Sequence, residues 1–252
     1  SSDKRALQMN IFVIVLLMIV ISGVSYNKTG QWEGYMSKEN CIYMKGVCAL
    51  AILLHHLSQQ VPHGGILWDR MPLIGGMSVS IFFFISGYGL MKKKCDNGKK
   101  SLDNYWKARI QSVGLPWLLV LCVSIFIDML IKRYGVFSTQ AVGVSPTIIR
   151  YSWFVVTISV LYIIYYIVCI VAKERTAVSI FLSFIFLFIY SAFCASMEVP
   201  TWWYISSYAF ISGLIFKYKE EVLLKKMGKR VIGYVCGVWV CFIMFFLLAI
   251  FT

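Results

Sequence analysis

The sequence predicts an all-α protein, a polytopic bundle of helices that crosses a membrane several times. Hydrophobic residues make up 60% of the 252 residues and charged residues only 14%, whereas soluble domains average nearer half and a quarter. The hydrophobic residues also form long blocks, several of which reach the roughly 20 residues that a helix needs to cross a bilayer. These blocks are apolar on all sides and lack the periodicity of a soluble core.

We predict eight membrane spans. In chain order they cover Met9–Ser25, Cys41–Leu57, Leu73–Met91, Val113–Ile131, Trp153–Val171, Ala177–Ala195, Trp202–Phe216 and Val231–Phe251. The first is expected to be a retained helix rather than a signal peptide, because no convincing small-residue cleavage site follows its apolar run. The second and seventh are short and contain polar residues, which favours positions inside the bundle.

Two domains are predicted from these spans. Residues 1–40 form an additional N-terminal transmembrane helix with a cytoplasmic linker, and residues 41–252 form the main transmembrane domain. The chain begins Ser-Ser-Asp-Lys and stops within an apolar run. We therefore expect the main domain to be incomplete at its C-terminus.

The net charge of +13 does not indicate a nucleic-acid partner. The Lys and Arg residues form short runs between apolar blocks, as in membrane proteins, and no nucleic-acid motif accompanies them. With the loop after the third span placed in the cytoplasm, about three quarters of the 24 Lys and Arg residues fall on that side, which puts the N-terminus outside. The eight cysteines form no ligand cluster, so we predict no metal site.

The second span contains a lysine and a histidine in an unusual arrangement. Ten residues separate Lys45 from His56, a rise of roughly 16 Å along a helix and close to three whole turns. Both side chains therefore project from nearly the same face, the lysine at the cytoplasmic end. Ionisable residues inside membrane helices commonly line a cavity or pathway. Alone, Lys45 would be a snorkelling interfacial lysine and the histidine an interhelical hydrogen-bonding group.

Other motifs follow this pair along the chain. They are Phe82-Phe-Phe-Ile-Ser-Gly-Tyr88, the basic segment Tyr105–Arg109 before Pro116, the pair Trp153-Phe154, and Phe210-Ile-Ser-Gly-Leu-Ile-Phe216. Together with the Lys45 and His56 spacing, they resemble the acyltransferase-3 family of integral membrane acyltransferases over about residues 40–220. That family has a basic residue, ten intervening residues and a histidine on an early span, followed by an FFxxSG(F/Y) signature.

The chain departs from the family pattern in two ways. The family often has Arg-x-x-Arg before the proline, whereas here Arg109 is followed three residues later by Ser112. Lys107 is the nearby cation that can take the place of the missing arginine. The family also usually has about ten spans, so the predicted bundle resembles a truncated form of it.

The resemblance implies transfer of an acyl group, commonly acetyl, from acetyl-CoA or another acyl-CoA to a hydroxyl of a cell-surface glycan. The thioester is a co-substrate, and no permanently bound cofactor is expected. The implied location is a bacterial plasma membrane, as a multi-pass protein. Lys45, Lys107 and Arg109 are expected to bind the anionic donor, and His56 to act as general base, because imidazole ionises near neutral pH.

Three further residues are predicted to belong to the site. Glu198 lies in a short outer loop and is the candidate for a carboxylate that orients His56. Trp153 and Ser86 belong to the matched motifs and are candidates for substrate binding. Ser86 is not expected to be a nucleophile, because no glycine precedes it as in a GxSxG elbow. Together with Gly87, it is expected to allow close helix packing.

Two other functions stay open from the sequence. A transporter or flippase for a lipid or polar solute would use Lys45 and His56 as part of a pathway, although no internal repeat is visible. A degenerate module without catalytic activity is the second alternative. Trp68, in the outer loop after the second span, is expected to be an interfacial anchor or a contact for a sugar.

Overall fold

The computed structural model describes residues 2–22, 34–61, 65–130 and 153–229. All regular elements in these ranges are helical, which confirms the all-α prediction. The α-helices are α1 (Ser2–Ser22), α2 (Lys38–Gln60), α3 (Ile74–Asn97), α4 (Tyr105–Arg109), α5 (Leu115–Leu130), α6 (Trp153–Ala172), α7 (Thr176–Ser196) and α8 (Tyr208–Lys229). Short 3₁₀ turns cover Trp68–Leu73, Gly98–Leu102 and Thr201–Trp203, and a π-helical turn, Ile110–Gly114, joins α4 to α5.

Five helical stretches of the described residues are long and apolar enough to cross a membrane. They are Lys38–Gln60, Trp68–Leu102, Tyr105–Ile127, Trp153–Ala172 and Thr176–Ser196, and they correspond to the second to sixth predicted spans. Many of their large apolar side chains are exposed. A soluble protein rarely exposes so much contiguous apolar surface, whereas lipid solvates it. The chain is therefore an integral membrane protein.

The predicted count of eight spans is not confirmed. The first predicted span corresponds to a shorter apolar stretch, Ala6–Ile19, within α1. The bounds of the seventh, Trp202–Phe216, are corrected, because the helix in this region begins at Tyr208 and continues through a charged segment to Lys229. The eighth, Val231–Phe251, lies outside the described residues.

The contacts divide the chain into two compact units, one made of Ser1–Ile85 with Lys219–Thr252 and one of Ser86–Tyr218. In the first unit, α1 packs against the 3₁₀ turn Trp68–Leu73, where Val13, Leu54 and Trp68 form a buried cluster. Trp68 is only 3% exposed, and its indole N–H donates to the carbonyl oxygen of Val61 at 2.9 Å. Trp68 is thus a core residue, and the expectation of an interfacial anchor or sugar contact is wrong.

In the second unit, the C-terminal half of α3 and the N-terminal half of α8 approach closely at Gly87. A Cβ atom placed on Gly87 would overlap the backbone carbonyl oxygen of Phe210, so only glycine allows this distance between the two backbones. Phe210 itself is 1% exposed, and Ser86 is half-buried beside the contact. The packing role expected for Ser86 and Gly87 agrees with this geometry.

Candidate functional site

Helix α2 carries both Lys45 and His56 without a break. Its start is determined by Ser37, whose hydroxyl accepts a hydrogen bond from the backbone N–H of Asn40 at 3.2 Å, the geometry of a helix N-cap. Glu39 in the first turn also favours the start, because a carboxylate there interacts with the helix dipole. Lys45 and His56 are both half-buried.

His55 is held against the N-terminal end of α3. Its Nδ1 atom lies 2.8 Å from the carbonyl oxygen of Pro72. The imidazole ring occupies the space that Gly75 leaves open, since a Cβ on that glycine would lie 2.6 Å from the His55 Cγ atom. His55 is therefore anchored between α2 and α3.

Gln59 connects the two histidines. Its amide nitrogen lies 3.3 Å from Nε2 of His55, and its amide oxygen lies 3.4 Å from Nδ1 of His56. The two imidazole rings are 4.7 Å apart between centroids, in an edge-to-face arrangement. Gln59 is a site residue that was not predicted from the sequence. Its position three and four residues after the histidines is the signal that places it on their side of the helix.

Arg109, a predicted donor-binding residue, lies among aromatic rings of the second unit. Its guanidinium carbon is 5.0 Å from the ring centroid of Tyr162 and 5.7 Å from that of Tyr105, distances at which cation–π attraction is significant. Tyr105 is 3% exposed, and its hydroxyl donates to the Tyr162 carbonyl oxygen at 2.9 Å. The Nε atom of Arg109 is buried and has no hydrogen-bond partner among the described residues.

A π-helical turn directly follows Arg109. The N–H of Leu115 bonds to the carbonyl oxygen of Ile110, five residues earlier. Pro116 explains the widening, because a proline has no N–H to donate and its ring displaces the carbonyl oxygen four residues before it. Such turns are frequent at functional sites. Lys107, the suggested substitute for the missing arginine, is exposed and lies on a different side of α4 from Arg109.

Lys94 is a buried cation that cannot be distinguished from its lysine neighbours by sequence alone. Lys92 is exposed, Lys93 donates to the carbonyl oxygen of Asp103, and Lys94 is only 7% exposed. The Lys94 ammonium donates to the hydroxyl oxygen of Ser179 at 2.5 Å and to the sulfur of Cys169 at 3.7 Å. No carboxylate pairs with it within the described ranges.

A cavity of about 530 Å³ lies at the turn between α6 and α7. Its lining residues are Lys99, Val171, Ala172, Lys173, Glu174, Arg175 and Val178. Lys99 and Glu174 form an exposed ion pair at 3.6 Å, a kind of pair that contributes little to stability. The cavity therefore presents mainly positive charge on the side predicted to be cytoplasmic.

The remaining site candidates belong to the second unit. Trp153 is half-buried at the described start of α6, and its ring centroid lies 6.5 Å from that of Trp203. Glu198 is exposed in the turn after α7, with a left-handed φ of 55°. Because His56 belongs to the first unit, the orienting role of Glu198 stays a prediction. Across the four described ranges, no three His, Cys, Asp or Glu side chains are placed to hold a metal ion.

These features define a class of protein: an integral membrane protein with a lysine and a histidine on one spanning helix and a half-buried arginine on another. A family profile described as an acyltransferase domain matches residues 38–252, most of the chain. The chain therefore belongs to the acyltransferase-3 family and is a membrane acyltransferase. A search of curated proteins and a search of solved structures each found no match.

Proposed function

We propose that this acyltransferase moves an acyl group, most simply acetyl, from a cytoplasmic coenzyme A thioester to a hydroxyl of a cell-surface glycan, in a bacterial plasma membrane. The observation that carries the proposal is the single unbroken helix α2, which holds Lys45 and His56 about 16 Å apart along its axis. Such a separation allows one helix to contact a donor at the inner boundary and an acceptor deeper in the membrane.

His56 is the proposed general base. Its imidazole accepts the proton of the acceptor hydroxyl as the oxygen attacks the thioester carbonyl carbon. The carbon–sulfur bond of the resulting tetrahedral intermediate then breaks, and the departing thiolate takes the proton back from the imidazolium. Transfer without hydrolysis requires that bulk water be kept from the thioester while it is attacked.

The cations Lys45 and Arg109 are proposed to bind the donor, with Lys107 as the exposed additional charge. Coenzyme A carries several phosphates, and charge-assisted hydrogen bonds from lysine and arginine are the usual means of binding them. The buried and unpartnered Nε atom of Arg109 supports this assignment, because an orphaned buried donor is costly unless a ligand satisfies it. Trp153 and Ser86 stay candidates for substrate binding, and Glu198 stays the candidate for a carboxylate that orients His56.

The role of His56 as general base is tested in membranes that contain the full-length protein and are supplied with radiolabelled acetyl-CoA. His56→Ala should reduce acyl transfer by about 10²–10⁴-fold, the usual contribution of a general base. Gln60→Ala is the matched control, because Gln60 is an exposed polar residue on the same helix end. Unchanged transfer by His56→Ala would refute the assignment, and movement of a solute without transfer from any thioester would favour a transporter.

The donor-binding role is tested by substitutions at the inner end of α2. Lys45→Ala should raise KM for the acyl-CoA, whereas Lys45→Arg should retain activity because the charge is kept. Lys38→Ala removes an exposed lysine from the start of the same helix and should leave KM unchanged. An equal change in KM for the Lys38 and Lys45 variants would indicate a general effect of surface charge and not a binding site.

A further inference from the structure

Hydrogen-bond chemistry determines which nitrogen of His55 carries the proton. The partner of its Nδ1 atom is the carbonyl oxygen of Pro72, at 2.8 Å, and a carbonyl oxygen can only accept. Nδ1 of His55 must therefore be the donor. The partner of its Nε2 atom is the amide nitrogen of Gln59, at 3.3 Å, which can only donate. His55 is thus neutral, with its lone pair on Nε2.

The same rule extends through Gln59 to His56. The amide oxygen of Gln59 lies 3.4 Å from Nδ1 of His56, and because that oxygen can only accept, Nδ1 of His56 carries the proton. A neutral imidazole with its proton on Nδ1 has its lone pair on Nε2. The opposite orientation of the Gln59 amide would require both nitrogens of His55 to donate, which means a charged imidazolium inside a membrane helix.

We propose that Gln59 is a positioning residue, which holds His56 in the tautomer whose basic nitrogen is Nε2. This inference rests on the proposed function, in which His56 is the general base. A chain of hydrogen bonds runs from the Pro72 carbonyl oxygen through His55 and Gln59 to His56, and every donor along it meets an acceptor. When Nε2 takes the proton of the acceptor hydroxyl, the Gln59 oxygen stabilises the imidazolium through its dipole, without a charged partner.

This arrangement assigns to a neutral amide the role that an acid has in many catalytic triads. A carboxylate on a spanning helix is costly, whereas an amide has both a donor and an acceptor for the two histidines. Gln59 is exposed and lies near the end of α2, so its replacement leaves the buried contacts of the helix intact.

Kinetics of three variants in membranes containing the full-length protein test the role. Gln59→Leu removes both hydrogen bonds and should lower kcat by about three- to tenfold, the effect of one ordinary hydrogen bond, with KM for the donor unchanged. Gln59→Glu keeps the acceptor for His56 but loses the donor to His55, so its kcat should lie between those of Gln59→Leu and the parent. Gln60→Leu makes the same change at the neighbouring exposed glutamine and should have no effect. Equal kcat for the Gln59→Leu and Gln60→Leu variants would overturn the proposal.

Nitrogen-15 NMR of histidine-labelled protein tests the tautomer without reference to activity. The chain has three histidines, and subtraction of the His56→Asn spectrum assigns the signals of His56. We expect Nδ1 of His56 to be protonated and Nε2 unprotonated above the titration range, and the two tautomers to mix in Gln59→Leu. A protonated Nε2 in the parent protein would refute the positioning role. If this tautomer is found but His56→Ala remains active, the proposed function fails while the hydrogen-bond chain stands.

Discussion

Gly75 and Gly76 are adjacent in the first turn of α3, but they face different surroundings. A Cβ on Gly75 would lie 2.6 Å from Cγ, 2.7 Å from Nδ1 and 2.8 Å from Cδ2 of the His55 ring. A Cβ on Gly76 would meet no atom within 4 Å. Alanine at these two positions therefore separates the effect of displacing His55 from the general effect of a methyl group on a helix.

The two variants should differ in free energy of unfolding by the effects that only Gly75→Ala has. Both substitutions gain about 1 kcal/mol of helix propensity. Gly75→Ala also crowds the ring, which costs about 1–3 kcal/mol in a packed interior, and the displaced ring loses its hydrogen bond to Pro72, worth about 0.5–1.5 kcal/mol. Gly75→Ala should therefore be less stable than Gly76→Ala by about 1.5–4.5 kcal/mol.

The comparison is made by denaturation in detergent and by acyl transfer in membranes. Gly75→Ala should show the earlier denaturation midpoint and a reduced kcat, because moving His55 disrupts its hydrogen bond with Gln59. Gly76→Ala should match or exceed the parent in stability. In a His55→Ala background, where the ring is absent, the two alanine variants should become equal. A difference that persists there, or equal stability in the parent background, contradicts the packing of His55 against Gly75.

Three other predictions concern the second unit. Gly87→Ala should destabilise the protein by several kcal/mol, because the added methyl group would overlap a facing backbone carbonyl oxygen. Gly89→Ala places its methyl group in open space and should be neutral or stabilising in the same denaturation assay. Equal effects of the two substitutions would contradict the close approach of the helices. Ser179→Ala should lower the free energy of unfolding by about 1.5–3 kcal/mol, because the buried Lys94 ammonium loses its acceptor. In a Lys94→Met background the same substitution should cost almost nothing, which a double-mutant cycle measures. Absence of coupling between the two positions would argue against the hydrogen bond. An impermeant thiol reagent should label Cys95, which is exposed, only after the cells are permeabilised, in a variant that retains this cysteine alone; labelling in intact cells would reverse the predicted orientation.

Much of the architecture could be predicted from the sequence because a bilayer restricts the choices. Backbone groups in lipid must be satisfied within their own segment, so a long apolar run such as Trp153–Ala172 has essentially one available conformation, the helix. The same reasoning placed Lys45 and His56 on one face of one helix, because their spacing is close to a whole number of turns. The bounds predicted for Trp202–Phe216 were wrong, because the apolar run there continues into a charged helical segment that ends at Lys229.

The site required the tertiary structure, because its side chains depend on contacts between distant parts of the chain. Trp68 is an aromatic residue in a predicted outer loop, as interfacial anchors are, but the packing of α1 and α2 around it makes it part of the core. Lys94 is one of three consecutive lysines, and it is buried because its side of α3 packs beside Ser179.

The sequence by itself therefore determined the membrane-spanning class and the two ionisable residues on α2, since both follow from local composition and helical period. Only the tertiary structure decided how His56 is oriented. Its proton position follows from Gln59, which is held by His55, which is in turn anchored to Pro72. The physical reason is that a change of a few tenths of an ångström in donor–acceptor distance decides whether a hydrogen bond forms, and the packing of the helices sets those distances.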